Sequence, residues 1–208
     1  MPLSTFAKKP LIDRAKARLN RFLGPWGVFI KGFLKHPVMV GAMIPSSDHT
    51  VAKMLAPVDW DNTKLFVEYG PGIGTFCQPV LDHMRPDATL LVIDLNADFI
   101  DYLRKNIRDS RFIAVHGSAA CVNDIIAQFG FKHADYILSG LPFSTLPDNL
   151  GPVIAENTAK ALRPGGAFLV YQYRARARDF MAPYFRNIDK GFELRNAPPC
   201  HLFWGWKE

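Results

Sequence analysis

The chain has 208 residues, of which 49% are hydrophobic and 21% are charged. This composition is that of a folded protein and argues against a disordered or fibrous one, and the length suits a single catalytic domain. No apolar run reaches the roughly 18 residues that a transmembrane helix requires, and the start lacks the apolar core of a secretory signal. Cys77, Cys121 and Cys200 form no CxxC pair, which argues against a disulfide framework or a structural zinc site. We therefore expect a cytoplasmic protein without a bound metal.

Positive charge is concentrated at the N-terminal end. The formal net charge is +6, and the first 36 residues hold eight of the 25 Lys and Arg but one of the 19 Asp and Glu. Residues 11–23 predict an amphipathic helix whose apolar face is flanked by cations, and Gly24 and Pro25 end it. Large apolar residues beneath basic flanks favour a helix that lies on an anionic bilayer. The predicted membrane contacts are Arg14, Arg18, Arg21, Phe22 and Trp26.

Two other interpretations of this basic segment stay open. Its helix could pack on a sheet and expose the basic face to solvent, or it could bind the phosphates of a nucleic acid. The next stretch, HPVMVGAMIPSS at residues 36–47, ends in Ser46 and Ser47, either of which could cap a following helix.

Strand and helix patterns alternate from residue 65 onward. Five β-branched or aromatic runs predict strands at 65–70, 89–95, 111–117, 134–140 and 166–173. Amphipathic stretches separate them, which predicts right-handed crossovers and a mostly parallel sheet covered by helices on both faces. A basic segment at 174–187 predicts a helix, and two final strands, broken by Pro198 and Pro199, complete a sheet of seven.

The first strand ends in a glycine-rich turn, EYGPGIG at residues 68–74. Such a turn brings the backbone close to a ligand at the carboxyl edge of the sheet. A dinucleotide fingerprint would require glycine or alanine at position 75, where this chain has Thr75, and the acid Glu68 would repel a pyrophosphate. Glu68 suits a cationic group instead, and Asp94, at the end of the second strand, suits two ribose hydroxyls. Together these residues predict a nucleoside ligand that carries positive charge.

The motifs VEYGPGIG, VIDL and RPGGAFLVYQY resemble those of the class I S-adenosylmethionine-dependent methyltransferases, over about residues 60–208. The resemblance implies a Rossmann-like α/β fold and S-adenosyl-L-methionine as the cofactor. It also implies a methyltransferase domain over residues 59–208, behind N-terminal amphipathic helices over residues 1–58 that form a membrane-facing lid. The implied cofactor-binding residues are Glu68, Gly70, Gly72, Gly74, Asp94, Leu95, Ser118, Ala119 and Ser139.

The fourth strand leads into SGLPFS, residues 139–144. Methyltransferases that act on amino groups of nucleic acids carry Asn or Asp where this chain has Gly140, because a weakly nucleophilic amine must be gripped. Gly140 therefore disfavours an rRNA adenine N6-dimethyltransferase, which stays open as an alternative, and favours an aliphatic amine. Burial beside a sulfonium would lower the pKa of such an amine. Tyr173 and His49 are the candidate proton acceptors, although the pattern favours an aromatic in the core and a solvated histidine over a catalytic role.

The longer string HPVMVGAMIPSS, followed by this glycine loop and SGLPF, resembles the small, peripheral type of bacterial phospholipid N-methyltransferases. That resemblance implies stepwise methylation of phosphatidylethanolamine to phosphatidylcholine at the inner leaflet of the cytoplasmic membrane, with no nucleic-acid partner. A non-catalytic membrane-binding module stays open as a different class. The implied substrate-binding residues are Ser46, Ser47, Gly140, Leu141, Pro142, Phe143 and Arg174.

Overall fold

The computed structural model describes residues 46–143, 146, 150–173 and 177–208. Six predicted site residues lie outside these ranges, namely Arg14, Arg18, Arg21, Phe22, Trp26 and Arg174. The predicted helix over residues 11–23 also lies outside them, and the predicted N-terminal part, residues 1–58, is described only from Ser46 onward.

Seven strands of the described chain form one sheet. They are β1 (Leu65–Tyr69), β2 (Thr89–Asp94), β3 (Phe112–His116), β4 (Ala134–Ser139), β5 (Leu162–Gln172), β6 (Asn187–Glu193) and β7 (Cys200–Trp206). Their spatial order is β3-β2-β1-β4-β5-β7-β6. The first five strands pair in parallel, and β7 is antiparallel to both β5 and β6. The predicted mostly parallel, seven-stranded sheet is confirmed.

Helices connect these strands. They are α1 (Asp48–Leu55), α2 (Cys77–His83), α3 (Ala97–Asn106), α4 (Val122–Gln128), α5 (Leu150–Ala161) and α6 (Ala177–Met181), with short 3-10 turns at Trp60–Asn62 and Ala119–Cys121. Ser47 caps α1, because its hydroxyl accepts a hydrogen bond from the amide of Thr50. Within the part of the chain that the structure describes, none of the helices could reach across a lipid bilayer.

The predicted helix at 174–187 was wrong at its C-terminal end. Helix α6 ends at Met181, and Asn187 already begins β6, where it pairs with Trp206. Pro183 accounts for the early end of the helix, because the residue before a proline avoids helical backbone angles. The edge strand is therefore longer than the sequence pattern indicated.

Side chains alternate between two cores on opposite faces of the sheet. One core contains Phe66, Leu90 and Leu169 and is covered by α1, α2 and α3. The other contains Val67, Leu91 and Phe168 and is covered by α4, α5 and α6. The strands are thus buried on both faces, as their continuous apolar sequences predict.

The segments that follow the parallel strands meet at one edge of the sheet. The amide of Gly70 donates to the carbonyl of Ile93 at 2.9 Å, and the amide of Gly140 donates to the carbonyl of Tyr69 at 3.0 Å. Strand β7 runs in the opposite direction, with His201 paired to Gln172 near the end of β5. The turn between β6 and β7, residues 194–199, therefore reaches the same carboxyl edge.

Candidate active site

The glycine loop requires glycine for two reasons: its backbone angles are left-handed, and neighbouring side chains leave no room for a Cβ. Gly70, Gly72 and Gly74 have φ angles of 62°, 56° and 87°, in the left-handed region that side chains rarely adopt. A Cβ at Gly74 would lie 2.7 Å from Cδ2 of Leu103, and one at Gly70 would lie 3.0 Å from Cδ2 of Leu141. The loop therefore presents bare backbone at the carboxyl edge of β1.

Asp94 carries a buried oxygen without a hydrogen-bond partner among the described residues. Its Oδ1 accepts from the amide of Asn96 at 2.8 Å, whereas Oδ2 makes no hydrogen bond to any residue that the structure describes. Burial raises the pKa of Asp94 to about 6, against the opposing effects of the Asn96 and Gly72 amides and of His116. A buried acceptor without a partner costs about 1–3 kcal/mol, so this oxygen is suited to receive a ligand hydroxyl.

Glu68 lies on β1 beneath the glycine loop, on the face covered by α2. Its carboxyl group is buried, and burial raises its pKa to about 8; the Asp94 charge adds to this rise and a hydrogen bond from Cys77 opposes it. The Cys77 thiol donates to Oε2 of Glu68 across 3.4 Å. A cation placed next to this carboxyl would favour its ionised form.

The predicted cofactor-binding residues Leu95, Ser118 and Ala119 reach the same edge. The amide of Gly117 donates to the carbonyl of Asp94 at 3.0 Å, which brings the Ser118 turn next to β2. The Ser118 hydroxyl accepts from the amide of Ala120, so it already caps a 3-10 turn. Ala119 is buried, and Leu95 is 54% exposed directly after Asp94. Their contacts with a cofactor stay predictions.

In the SGLPF segment, Leu141 and Phe143 both pack on the core of the α5 side of the sheet. The Ser139 hydroxyl is buried and accepts from the amide of Leu141, whose carbonyl in turn accepts a hydrogen bond from Gln172. The ring of Phe143 lies in the core on the α5 side, 5.9 Å from the ring of Phe180. Because the core encloses that ring, its contact with a substrate stays a prediction, as does that of the buried Pro142.

Tyr171 lies next to Gly140, and sequence reasoning missed it. A Cβ at Gly140 would lie 2.5 Å from Oη of Tyr171 and 3.0 Å from the carbonyl oxygen of Gly70. The Tyr171 ring packs on Phe76 with centroids 5.0 Å apart, and the side chain of Ser46 acts on its hydroxyl and partly lowers its pKa. Burial, together with the nearby Glu68 carboxyl, raises the pKa of this hydroxyl.

The strand alternation of YQY could have found this residue. Tyr171 lies on β5 and Tyr173 follows two positions later, just past the strand end, so strand alternation predicts the same face for both. Tyr173 lies beyond the last residue of the strand, half-buried against the core on the α1 side. His49 lies on the exposed side of α1, with its Nδ1 3.4 Å from Nη1 of Arg195. The structure thus packs Tyr173 against the same core as Tyr171 and leaves His49 at the surface; the catalytic role of each stays a prediction.

Comparison with known proteins agrees with this geometry. The sequence model of the methyltransferase small domain family matches residues 47–193. The chain belongs to this family. The methyltransferase is also 28% identical over 184 residues to ornithine lipid N-methyltransferase of Singulisphaera acidiphila, a match that covers 85% of this chain and 93% of that protein.

Two solved structures are similar to this methyltransferase in fold. Precorrin-6y C5,15-methyltransferase from Geobacter metallireducens GS-15 has a TM-score of 0.61 at 12% identity, covering 78% of this chain and 89% of that one. The N-methyltransferase NodS from Bradyrhizobium japonicum WM9, in complex with S-adenosyl-L-homocysteine, has a TM-score of 0.57 at 16% identity, covering 76% and 84%. The predicted class I methyltransferase fold is confirmed, and the cofactor is S-adenosylmethionine.

The residues of the site fit this cofactor. S-adenosylmethionine supplies a methyl group on a positively charged sulfonium sulfur. The Oδ2 of Asp94, which has no partner among residues with a described position, can accept a hydrogen bond from a ribose hydroxyl. The glycine loop allows close approach to the backbone, and Glu68 can offset positive charge. The assignment of each contact stays a prediction, but the chemistry of these groups matches what a charged nucleoside needs.

Proposed function

We propose that this methyltransferase methylates the amine of phosphatidylethanolamine, through the mono- and dimethyl lipids, to phosphatidylcholine at the inner surface of the cytoplasmic membrane. The observation that carries the proposal is the close approach of Tyr171 to Gly140. Because a Cβ at position 140 would lie 2.5 Å from Oη of Tyr171, an amide or carboxylate side chain that grips a nucleobase has no room there. An aliphatic amine does not need such a grip, since it is a good nucleophile once it is neutral.

The relative from Singulisphaera acidiphila supports the class of substrate. It is named as an N-methyltransferase of ornithine lipid, and the match spans 93% of its length. We therefore place the substrate of this chain among lipids that carry an amine. Ornithine lipid is the second candidate within that class, and the same relative favours it.

The exposed side chains around the β6–β7 turn support a membrane-facing edge. Leu194 is 73% exposed and Phe192 is 43% exposed, and both lie at the carboxyl edge of the sheet, where the cofactor loop is found. Two cations and one acid accompany them: Lys53 donates to the carbonyl of Phe192 at 2.7 Å and pairs with Glu193 at 3.7 Å, and Arg195 follows Leu194 directly. Exposed apolar residues among cations suit an anionic lipid surface.

The chain's own residues would prepare the amine in two ways. A lipid ammonium has a pKa of about 10 by analogy with lysine, so it is mostly protonated in water. Burial beside the packed apolar rings of Phe76 and Tyr171 would disfavour the charged form and release its proton to solvent. The polar groups near Gly140 would then orient the neutral nitrogen, and such positioning supplies much of the catalysis in a transfer of this kind.

A substrate comparison tests the proposal. The purified full chain is incubated with S-adenosylmethionine labelled in its methyl group and with vesicles of phosphatidylethanolamine, vesicles of ornithine lipid, or RNA. We expect label in mono-, di- and trimethylated phosphatidylethanolamine, separated by thin-layer chromatography. Label in ornithine lipid alone would replace the substrate within the same class, and label in RNA alone would end the lipid proposal.

A further inference from the structure

We infer that the Tyr171 hydroxyl and the backbone at Gly140 form the binding site for the substrate amine, with the phenol oxygen accepting a hydrogen bond from an amine N–H. This inference rests on the proposed function, because it requires an amine substrate. It assigns to a side chain of β5 the contact that Asn or Asp after β4 would make in a methyltransferase of nucleobases.

The position of the hydroxyl follows from the pairing of the two strands. Strands β4 and β5 are neighbours, with Ser139 opposite Val170, so Gly140 and Tyr171 are adjacent at the carboxyl edge. A Cβ at Gly140 would lie 2.5 Å from Oη and 3.2 Å from Cζ of Tyr171, so the hydroxyl occupies the space that a side chain would take. The carbonyl oxygen of Gly70, in the cofactor loop, lies 3.0 Å from the same point. The phenol oxygen therefore lies where the amine and the cofactor loop must meet.

The surroundings of Tyr171 suit a hydrogen-bond partner and not a base. Burial and the nearby Glu68 raise the pKa of its hydroxyl, so it stays neutral at physiological pH. A neutral phenol has one proton and two lone pairs, so even if the Ser46 hydroxyl donates to one lone pair, the other can accept from an N–H. The ring contact with Phe76 at 5.0 Å holds the phenol in one orientation. The proton that the ammonium loses goes to water.

This assignment predicts a difference between substrates. The neutral primary amine of phosphatidylethanolamine and its monomethyl product each have an N–H to donate, whereas the neutral dimethylated amine has none. A hydroxyl that accepts from the amine therefore helps the first two transfers more than the third. A purely structural tyrosine would affect all three transfers alike.

The test compares Tyr171→Phe, which keeps the ring, with wild type on vesicles of phosphatidylethanolamine and of its dimethylated form. We expect kcat/KM to fall about tenfold on the primary amine and to change little on the tertiary one, with unchanged affinity for S-adenosylmethionine. Tyr184→Phe is the matched control, since this tyrosine packs on the opposite face of the sheet and should leave both rates at wild-type values.

A second variant tests the same contact independently, in case Tyr171→Phe does not fold. Gly140→Ala does not strain the backbone, because the φ angle of Gly140 lies outside the left-handed region, but its methyl group would displace the Tyr171 hydroxyl. We expect the same selective loss, and no further loss when the two substitutions are combined. Equal losses on both lipids, or no loss on either, would overturn the inference while the proposed function stands. A wild-type protein that methylates no aminolipid would overturn both.

Discussion

The Cys77 thiol donates to the buried carboxyl of Glu68 across 3.4 Å, directly beneath the glycine loop. A thiol is a weak donor, so this contact only partly offsets the burial that raises the pKa of Glu68 to about 8. The cofactor-free protein therefore holds Glu68 mostly protonated at neutral pH, next to the loop that is expected to receive a cation. Two measurable consequences follow from this pair.

The stability of the cofactor-free protein should fall as the pH rises. The pKa of Glu68 goes from 4.5 in the unfolded chain to about 8 in the folded one, so its contribution is fully present below pH 4.5 and is lost as the pH rises through 8. The loss should reach at most about 1.4 kcal/mol per pH unit. Urea unfolding at several pH values would measure it, and Glu68→Gln should flatten the curve between pH 6 and 8. A slope equal to wild type in that variant would exclude Glu68 as its source.

Cofactor binding should release a proton at pH 7. A cationic ligand next to Glu68 would lower its pKa from about 8, and the carboxyl would then ionise. Calorimetry in buffers of different ionisation enthalpy would count the protons, with nearly one released on binding S-adenosylmethionine and none in Glu68→Gln. Equal release on binding S-adenosylhomocysteine would assign the effect to the amino group and not to the sulfonium.

Asp94→Asn should weaken cofactor binding without weakening the fold. The Oδ2 of Asp94 makes no hydrogen bond to a described residue, and the side-chain oxygen of an asparagine can still accept from the amide of Asn96. Loss of a charged hydrogen bond to a ribose hydroxyl should raise the Kd for S-adenosylmethionine about 10- to 100-fold, by calorimetry. The exposed Asp124→Asn on α4 is the control and should bind normally. A normal Kd in Asp94→Asn would remove this residue from the cofactor site.

Gly74→Ala should destabilise the protein more than Gly130→Ala. Both glycines have positive φ angles, 87° and 83°, so both substitutions incur a backbone strain of about 1 kcal/mol. A Cβ at Gly74 would also lie 2.7 Å from Leu103, whereas nothing lies within 4 Å of one at Gly130. Urea unfolding would compare the two variants, and we expect Gly74→Ala alone to lose cofactor binding. Identical behaviour of both variants would contradict the close packing of the loop.

Leu194→Glu should weaken binding to anionic vesicles about tenfold, because it removes exposed apolar surface at the carboxyl edge. The control is Phe129→Glu, since Phe129 is 42% exposed but follows α4 towards the amino end of β4 at the opposite edge. Vesicle co-sedimentation would measure both variants. If the two bind alike, the membrane faces some other surface.

The basic segment offers a companion measurement. Replacing Arg14, Arg18 and Arg21 with Glu should abolish vesicle binding and leave cofactor affinity intact. If that variant still binds vesicles, the segment does not bind the membrane. It would then be a helix packed on the sheet or a segment that binds nucleic-acid phosphates.

Local sequence patterns predicted the frame of the fold. Each parallel strand needed only a short apolar run, because a strand covered on both faces has no polar side to interrupt that run. The glycine loop could also be predicted from the sequence, because the positive φ angles at Gly70, Gly72 and Gly74 favour glycine in any surroundings. The end of α6 was misjudged, because helical spacing continued past Pro183 while the backbone could not.

The sequence by itself determined that a charged nucleoside should meet a bare loop between Glu68 and Asp94, since those residues lie at strand ends and their chemistry is local. Only the tertiary structure decided what lies opposite Gly140. Tyr171 is 31 positions further along the chain, and its hydroxyl meets Gly140 because β5 pairs with β4 in one particular register. Such a contact depends on strand pairing over a long separation, and no local pattern of residues specifies it.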